Sequence, residues 1–565
     1  MDENIRKLVL KHALINAVEH GGRAKAGSVI GKVIAECPEL KSNISELGKE
    51  VAKIVKEINS WDFEKQKRQL EAFGPIIKPE KEQRAGLPPL PFAEQGKVIT
   101  RFAPYPSGAL HIGNLKAAII SYEYAKMYNG TFIVRIEDTD PDPEKMRKEN
   151  IEMIKLDLEA MGLKPDMFYC LSSHFPRYYE LAEKLIKEGK AYVCTCIGSG
   201  KEKPEKIAVL KKECPCRSNS IKENLVRFQR MFDKYKEGEA VLRLKTDIND
   251  PNPALRDIAL LRIKEGMHPL TNKEWRVYPL YNYACAIEDH DTGVTHVFRG
   301  TEHATNTLIQ KKIFEAFNWE NFPYVINFGF LYIPEAKMHK RYIRDAIKQG
   351  KFSGWDDPRL GQFGLVRALI MRGIMPDAIK NMIIEMGINP QTIHFTWEKL
   401  YKENRKIIDA FANRYFAVLD PVRVKLEQLA HAFTGNEISV KIHPNKNEYR
   451  SIPITDTVFI EKSDAVANLG KEVRLMHFCN ILLGKKIIEG SIKSKITDIE
   501  NKEIPKIHWV PSQNINIKLI MPDGKEITAL AEPSAASINA GDIVQFERIG
   551  FARLNKDGLF YWAHK

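Results

Sequence analysis

Arg101–Asn114 reads RFAPYPSGALHIGN, a glycine-containing turn between an apolar strand pattern and an amphipathic helix pattern. Val98–Phe102 predicts the strand. Leu115, Ala118, Ile119 and Tyr122 fall on one face of the helix. Gly130 stops that helix and Thr131–Ile136 predicts the next strand, so the unit is β–α–β with a parallel crossover. Gly108 and Gly113 let the backbone pass close to a ligand. Asn114 is expected to open the helix, whose first amides attract phosphate. His111 can donate to a phosphate oxygen. Far downstream lies KMHKR, Lys337–Arg341, a compact basic loop. Its Lys337, Lys340 and Arg341 bring mobile positive charge. Adenylyl and phosphoryl transfer mainly need such positioning and charge neutralisation. Singly, each motif has a plainer reading, as an ordinary strand–helix turn and a solvated surface loop.

Outward from this unit, two more apolar strands are expected at Val294–Phe298 and Tyr324–Leu331. The sheet is therefore split by a long insertion near residues 175–280. Residues 1 to about 74 look helical. Leu47, Val51, Ile54, Val55 and Ile58 share one face, and Asn43 with Glu46 can cap that helix. GLPPLPFAEQGK, Gly86–Lys97, favours an extended linker. Beyond Ser353 the pattern turns helical again. After Asp420 it becomes short and alternating, as in Val422-Arg423-Val424-Lys425-Leu426. Hairpin signals stand at Asp523-Gly524 and Asp557-Gly558, so this last region reads as all-β barrels. No internal repeat is evident.

The chain has 565 residues, which predicts three to five domains at roughly 150 residues each. Its net charge of +13 points to a polyanionic partner, nucleic acid more than membrane; a Lys-rich proteome is the plainer alternative. The start, MDENIRKLVLKHALINAVEH, is unlike a signal peptide, and no apolar run is long enough to span a bilayer. A soluble cytoplasmic protein is expected. Of eight cysteines, four form two Cys-x-Cys pairs, Cys194/Cys196 and Cys214/Cys216. This is no secreted disulfide framework. The four thiolates suit tetrahedral Zn²⁺, which would help order a segment with few apolar residues; reduced pairs or an occasional disulfide are the alternatives. Cys37, Cys170 and Cys479 read as scattered cysteines, and Cys285 as packing.

In this order, HIGN and KMHKR resemble the two signatures, usually HIGH and KMSKS, of class I aminoacyl-tRNA synthetases. VRIEDTDP (Val134–Pro141), YPLYNYACAIEDHDTGVTHVFRG (Tyr278–Gly300), SGWDDPR (Ser353–Arg359) and ENRKIIDAFANRYF (Glu403–Phe416) extend the match. Together they resemble the glutamyl/glutaminyl subfamily in its archaeal–eukaryotic form, over about residues 96–565. The N-terminal segment is similar to the helical extension of archaeal members. Two departures stand out: Asn114 replaces the second His of HIGH, and His339 the usual Ser of the basic loop.

The resemblance implies an α/β multidomain chain. Residues 1–95 would be a helical N-terminal extension and linker. A Rossmann-type catalytic domain would run over 96–175 and 281–350, split by an acceptor-end-binding α/β insertion at 176–280. Residues 351–418 would be a helical stem-contact subdomain and 419–565 the anticodon-binding β-barrels. Some relatives carry zinc in the insertion and others have lost it.

It also implies the chemistry: glutamate, ATP with Mg²⁺, a glutamyl-adenylate, then transfer to the terminal adenosine of tRNA. Catalytic roles would fall to His111, Asn114, Lys337 and Lys340. ATP would meet Tyr105, Pro106, Ser107, His111, Gly113, Asn114, Met338, His339 and Lys340. Glutamate would meet Arg101, Glu137, Tyr281 and Arg299. Glutamate enzymes of the family have Arg at the position of Arg299, and glutaminyl enzymes a small uncharged residue. A guanidinium fork binds a carboxylate bidentately, whereas an amide would turn an NH₂ donor toward a buried cation. A pairing of Arg299 with Glu302 or Asp289 is the competing structural reading. The expected partners are L-glutamate and tRNA for glutamate, with glutamine isoacceptors left open. No membrane partner is expected; a monomer is, with the N-terminal extension a candidate protein-binding region. The rivals are a glutaminyl enzyme, a non-catalytic paralogue, and a partial homologue that glutamylates a base or protein. Arg299, the retained signature residues and the long β region speak against them in turn.

Overall fold

The computed structural model describes the chain apart from residues 1–2, 20, 38–39, 41–43, 74–85, 144–145, 197–210, 334–339, 428, 430–434 and 498–503. Two compact units emerge, Met1–Gln83 and Arg84–Lys565.

The first unit packs helices α1 (Glu3–Glu19), α2 (Ala26–Glu36), α3 (Ile44–Asn59) and α4 (Phe63–Glu71). The expected face of α3, Leu47 to Ile58, is buried against Val9, Ala13, Val29 and Val33. Asp62 caps α4 by accepting from Lys65 N at 2.7 Å. The proposed cap at Asn43 lies outside the described residues.

The second unit is organised by a five-stranded sheet in the order β3-β2-β1-β8-β9. Its strands are β1 (Ile99–Phe102), β2 (Thr131–Ile136), β3 (Met167–Cys170), β8 (His296–Gly300) and β9 (Tyr324–Phe328). All neighbours run parallel. Between β1 and β2 comes α5 (Ile112–Met127), whose Leu115, Ala118, Ile119 and Ile120 are fully buried. Burying a large aliphatic chain of this kind contributes about 1.5–3 kcal/mol. α6 (Lys148–Ala160) joins β2 to β3. The interruption is a four-stranded antiparallel sheet, β4 (Ala191–Cys194), β5 (Val241–Leu244), β6 (Ala259–Ile263) and β7 (Val277–Pro279).

Three sequence expectations shift. The strand expected at Val294–Phe298 starts at His296, because Val294 N still closes the preceding turn onto Asp289 O. Arg299 therefore lies inside β8 instead of closing it. The strand expected at Tyr324–Leu331 ends at Phe328. Leu331–Tyr332 pairs instead with Ile393–His394 in a separate sheet, since the chain at Gly329 runs against the backbone of Gln391. Third, His111 is the N-cap of α5 and Asn114 sits three residues in.

Downstream, Lys340 and Arg341, expected on a basic loop, instead open a helix, Lys340–Lys348, whose Ile343 and Ala346 are buried; helices Val366–Met371, Pro376–Met386 and Trp397–Ile408 follow, as the pattern beyond Ser353 predicts. Two seven-stranded sheets complete the chain. In Pro421–Glu427, Val422, Val424 and Leu426 point inward and Arg423 and Lys425 outward, the alternation expected of a half-buried strand. Both hairpin signals hold. Asp557 and Gly558 adopt φ of 46° and 73°, the left-handed pair a tight two-residue hairpin needs. No helix of the described residues is long and apolar enough to cross a membrane.

Candidate active site

Two adjoining cavities open beyond the carboxyl ends of β1, β2 and β8, where open parallel sheets bind ligands. They have volumes of about 540 and 570 Å³ and share Tyr105, Gly113, Asn114, Gly300, Glu302 and Phe328. The first is also lined by Arg101, Glu137, Tyr281 and Arg299, and the second by Ser107, His111, Lys116 and Lys340. The residues expected to meet amino acid and nucleotide are thus brought together in two neighbouring groups. Pro106 lines neither cavity; it is buried beneath the turn, its carbonyl accepting from Asn150 at 2.8 Å. Lys337, Met338 and His339 lie outside the described residues. Arg341 is exposed.

The turn is shaped by two glycines. Gly108 has φ of 141°, and a Cβ there would stand 2.7 Å from the Trp355 ring. A Cβ on Gly113 would stand 2.9 Å from the His111 ring. His111 Nδ1 accepts from Asn114 N at 3.4 Å, and Asn114 Oδ1 accepts from His111 N at 3.5 Å. This capping box explains why Asn serves in place of His at this position. With Nδ1 an acceptor, the neutral ring carries its hydrogen on Nε2. Burial, assisted by the charge of Lys340, lowers the His111 pKa to about 3, so the ring stays neutral. Lys340 Nζ donates to Gly108 O at 3.4 Å. Burial lowers its pKa to about 8, opposed by Asp157.

At the other cavity, buried Arg299 donates from Nη2 to Thr307 Oγ1 at 2.6 Å. Its Nε and Nη1 have no hydrogen-bond partner among the described residues. The competing pairing with Glu302 or Asp289 is absent among the described ion pairs. Both Glu137 oxygens likewise lack hydrogen-bond partners among the described residues, with Arg135 Nε 3.6 Å from Oε1. Burial raises the Glu137 pKa to about 7, against the pull of Arg135 and Arg101.

Arg101, by contrast, is already engaged. Its Nε and Nη2 reach Asp289 Oδ1 and Oδ2 at 3.2 and 3.4 Å. Arg135 Nη1 stands 2.7 Å from the same Oδ1, and Arg135 Nη2 is 3.1 Å from Cys285 Sγ. The two arginines hold the Asp289 carboxyl below the ordinary carboxylate range against the effect of burial. Sequence reasoning missed Arg135 and Asp289 as parts of the site. Both stand inside quoted motifs, and a search for unpaired charge in those motifs would have raised them.

In the insertion, β4 and the short turn Pro215–Ser218 bring four sulfurs together. Sγ distances are 3.5 Å for Cys194–Cys214 and Cys196–Cys214, and 3.6 Å for Cys196–Cys216. All four lie within 4.8 Å of one another. A tetrahedral zinc with Zn–S of about 2.3 Å sets sulfurs about 3.8 Å apart, so the quartet fits that ion.

Residues 97–410 match the family of tRNA synthetases class I (E and Q), catalytic domain. Residues 412–502 and 506–555 match its two anticodon-binding domain families. The chain belongs to this E and Q family. It is 44% identical to the glutamate–tRNA ligase of Pyrococcus abyssi, covering 99% of this chain and 100% of that protein. The glutamate–tRNA ligase of Pyrococcus furiosus is 43% identical over the same shares. That of Methanothermobacter marburgensis is 38% identical, again over 99% and 100%.

Proposed function

We propose that this protein is a glutamate–tRNA ligase and that the paired cavities carry its first step. A glutamate α-carboxylate oxygen attacks the ATP α-phosphorus. The bond to the β-phosphate oxygen breaks and pyrophosphate leaves. The terminal adenosine hydroxyl of tRNA then attacks the adenylate carbonyl, and AMP departs. Mg²⁺ accompanies the triphosphate as counter-ion. Transfer needs no covalent intermediate on the enzyme.

Each residue's part follows from its surroundings. His111 donates from Nε2 to a phosphate oxygen, while Asn114 fixes the ring and Lys340 neutralises the developing charge. Lys337, Met338 and His339, just before Lys340 in the sequence, are assigned to ATP by the family resemblance alone. Tyr105, Ser107 and Gly113 form the floor of the nucleotide cavity. Glu137 pairs with the glutamate ammonium, and Tyr281 and Arg101 complete the pocket. The observation that carries the reading is Arg299. It is a buried guanidinium whose Nε and Nη1 have no partner among the described residues, on a cavity beside the nucleotide turn. A buried cation in that state wants a carboxylate, which supports glutamate over glutamine. Aminoacylation of transcripts of glutamate and glutamine tRNAs, with each amino acid in turn, tests it. Charging with glutamate is expected; charging with glutamine alone would overturn the reading. The same assay reveals whether glutamine isoacceptors receive glutamate.

Glu137 adds a pH dependence. A carboxyl with pKa near 7 is ionised above that value and neutral below it, and only the ionised form pairs with an ammonium. The glutamate KM is therefore expected to rise as pH falls from about 8 to about 6. Glu137→Gln should raise KM throughout and flatten the profile; an unflattened profile would exclude Glu137.

The cysteine quartet is proposed to hold a structural Zn²⁺. Mass spectrometry of the native protein should find about one zinc per chain, lost in Cys214→Ser. Metal-free wild-type protein with unchanged thermal stability would reject the site.

A further inference from the structure

The segment Leu110–Ile112, which carries His111, is fastened from outside its own sheet. Ile112 N donates to Gly364 O at 2.9 Å and Val366 N to Leu110 O at 3.0 Å, making an antiparallel bridge at His111 and Leu365. Beneath that bridge sits Asp157 on α6, with its side chain 1% exposed. Asp157 Oδ2 accepts from Leu110 N at 2.9 Å, and Oδ1 accepts from Arg367 Nε at 2.9 Å. Arg367 lies in helix Val366–Met371 and also donates to Met153 O at 3.4 Å. One carboxylate thus joins the turn before His111 to a helix more than two hundred positions later.

We propose that Asp157 is a positioning residue of the nucleotide site, holding the His111 turn in register with helix Val366–Met371. The inference rests on the reading of His111 and Lys340 as nucleotide groups. A neutral amide would turn an NH₂ toward one of the two donors, whereas a carboxylate accepts from both, one of them the Arg367 guanidinium. The charges acting on Lys340 are Asp157 from α6 and Arg344 from its own helix, and the neutral His111 ring faces it from α5. Asp157 is the acid among them, and it raises the proton affinity of Lys340 where burial and Arg344 lower it. Removing its charge should let Lys340 lose its proton at lower pH, a change that mere loosening of the fold would not produce.

The test compares wild type, Asp157→Asn and Arg367→Gln in ATP–pyrophosphate exchange measured with tRNA present across pH, with ATP binding measured by calorimetry. Asp157→Asn is expected to raise the ATP KM about tenfold with the glutamate KM within about twofold. The alkaline limb of its profile should move to lower pH. Arg367→Gln, at a partly exposed side chain, should raise the ATP KM by a smaller factor without lowering the alkaline limb. An unchanged ATP KM and alkaline limb in Asp157→Asn would overturn the proposal. So would a matching downward shift in Arg367→Gln, or equal rises in ATP and glutamate KM. If Asp157→Asn does not fold, Arg367→Gln decides alone: an unaltered ATP KM overturns the proposal. A wild type that binds ATP but exchanges no pyrophosphate defeats the proposed function instead, and the ATP dissociation constants of the two variants then decide for or against Asp157.

Discussion

Lys340→Ala is expected to lower ATP–pyrophosphate exchange, measured with tRNA present, by about a hundred- to a thousandfold, leaving tRNA affinity within about twofold. The magnitude is that of one preorganised donor removed from where charge develops in the transition state. Lys340 is well placed for it. Its ammonium rests on the carbonyl of Gly108, inside the turn and beside His111. The cost of keeping it buried shows as a pKa near 8, so the ammonium is poised to gain from an approaching phosphate. Lys340→Arg should recover part of the rate, since the charge returns but its shape differs. Wild-type exchange by the alanine variant would remove the lysine from the reaction.

Arg299→Ala should raise the glutamate KM by about a hundredfold or more, with the ATP KM within about twofold. Truncating one member of a buried, hydrogen-bonded charge pair costs about 2–5 kcal/mol. Here the pair forms only when substrate enters, so the whole penalty falls on glutamate binding. The free protein loses little, since Arg299 keeps one side-chain bond, to Thr307, without ligand. A glutamate KM that stays put would take Arg299 out of the pocket. Arg299→Gln is the sharper companion: it should weaken glutamate as strongly while narrowing the preference over glutamine.

Much of this site is legible in the sequence because its parts are local. The strand–turn–helix unit reveals itself by period and by glycines at Gly108 and Gly113. The four cysteines reveal themselves by spacing. Arg299 and Glu137 are legible through the motifs around them. What the sequence hides depends on partners far along the chain. Asp289 matters because β1 and β2 bring Arg101 and Arg135 onto it. Asp157 matters because Leu110 and Arg367 converge on it. Neither juxtaposition follows from periodicity. The end of a strand is similarly nonlocal: β9 stops at Phe328 because Gly329 runs against the backbone of Gln391. Asn114 looks like a weakened signature residue until the capping box shows which atom of the His111 ring it fixes.

The late arrival of β8 beside β1 has a kinetic side. Ile99 N finds its partner in Thr295 Oγ1, 196 positions away. Closing so long a loop in place of a short crossover adds only roughly 1–2 kcal/mol of entropy, because that term grows with the logarithm of length. An inserted domain is therefore cheap to accommodate at equilibrium. Its burden is time, since distant strand pairing slows folding. Until β8 docks, β1 is left with a bare edge and Arg101 without Asp289's support. Refolding of this protein should accordingly show early helical signal and late recovery of nucleotide binding, with the exposed edge of β1 the place where aggregation starts.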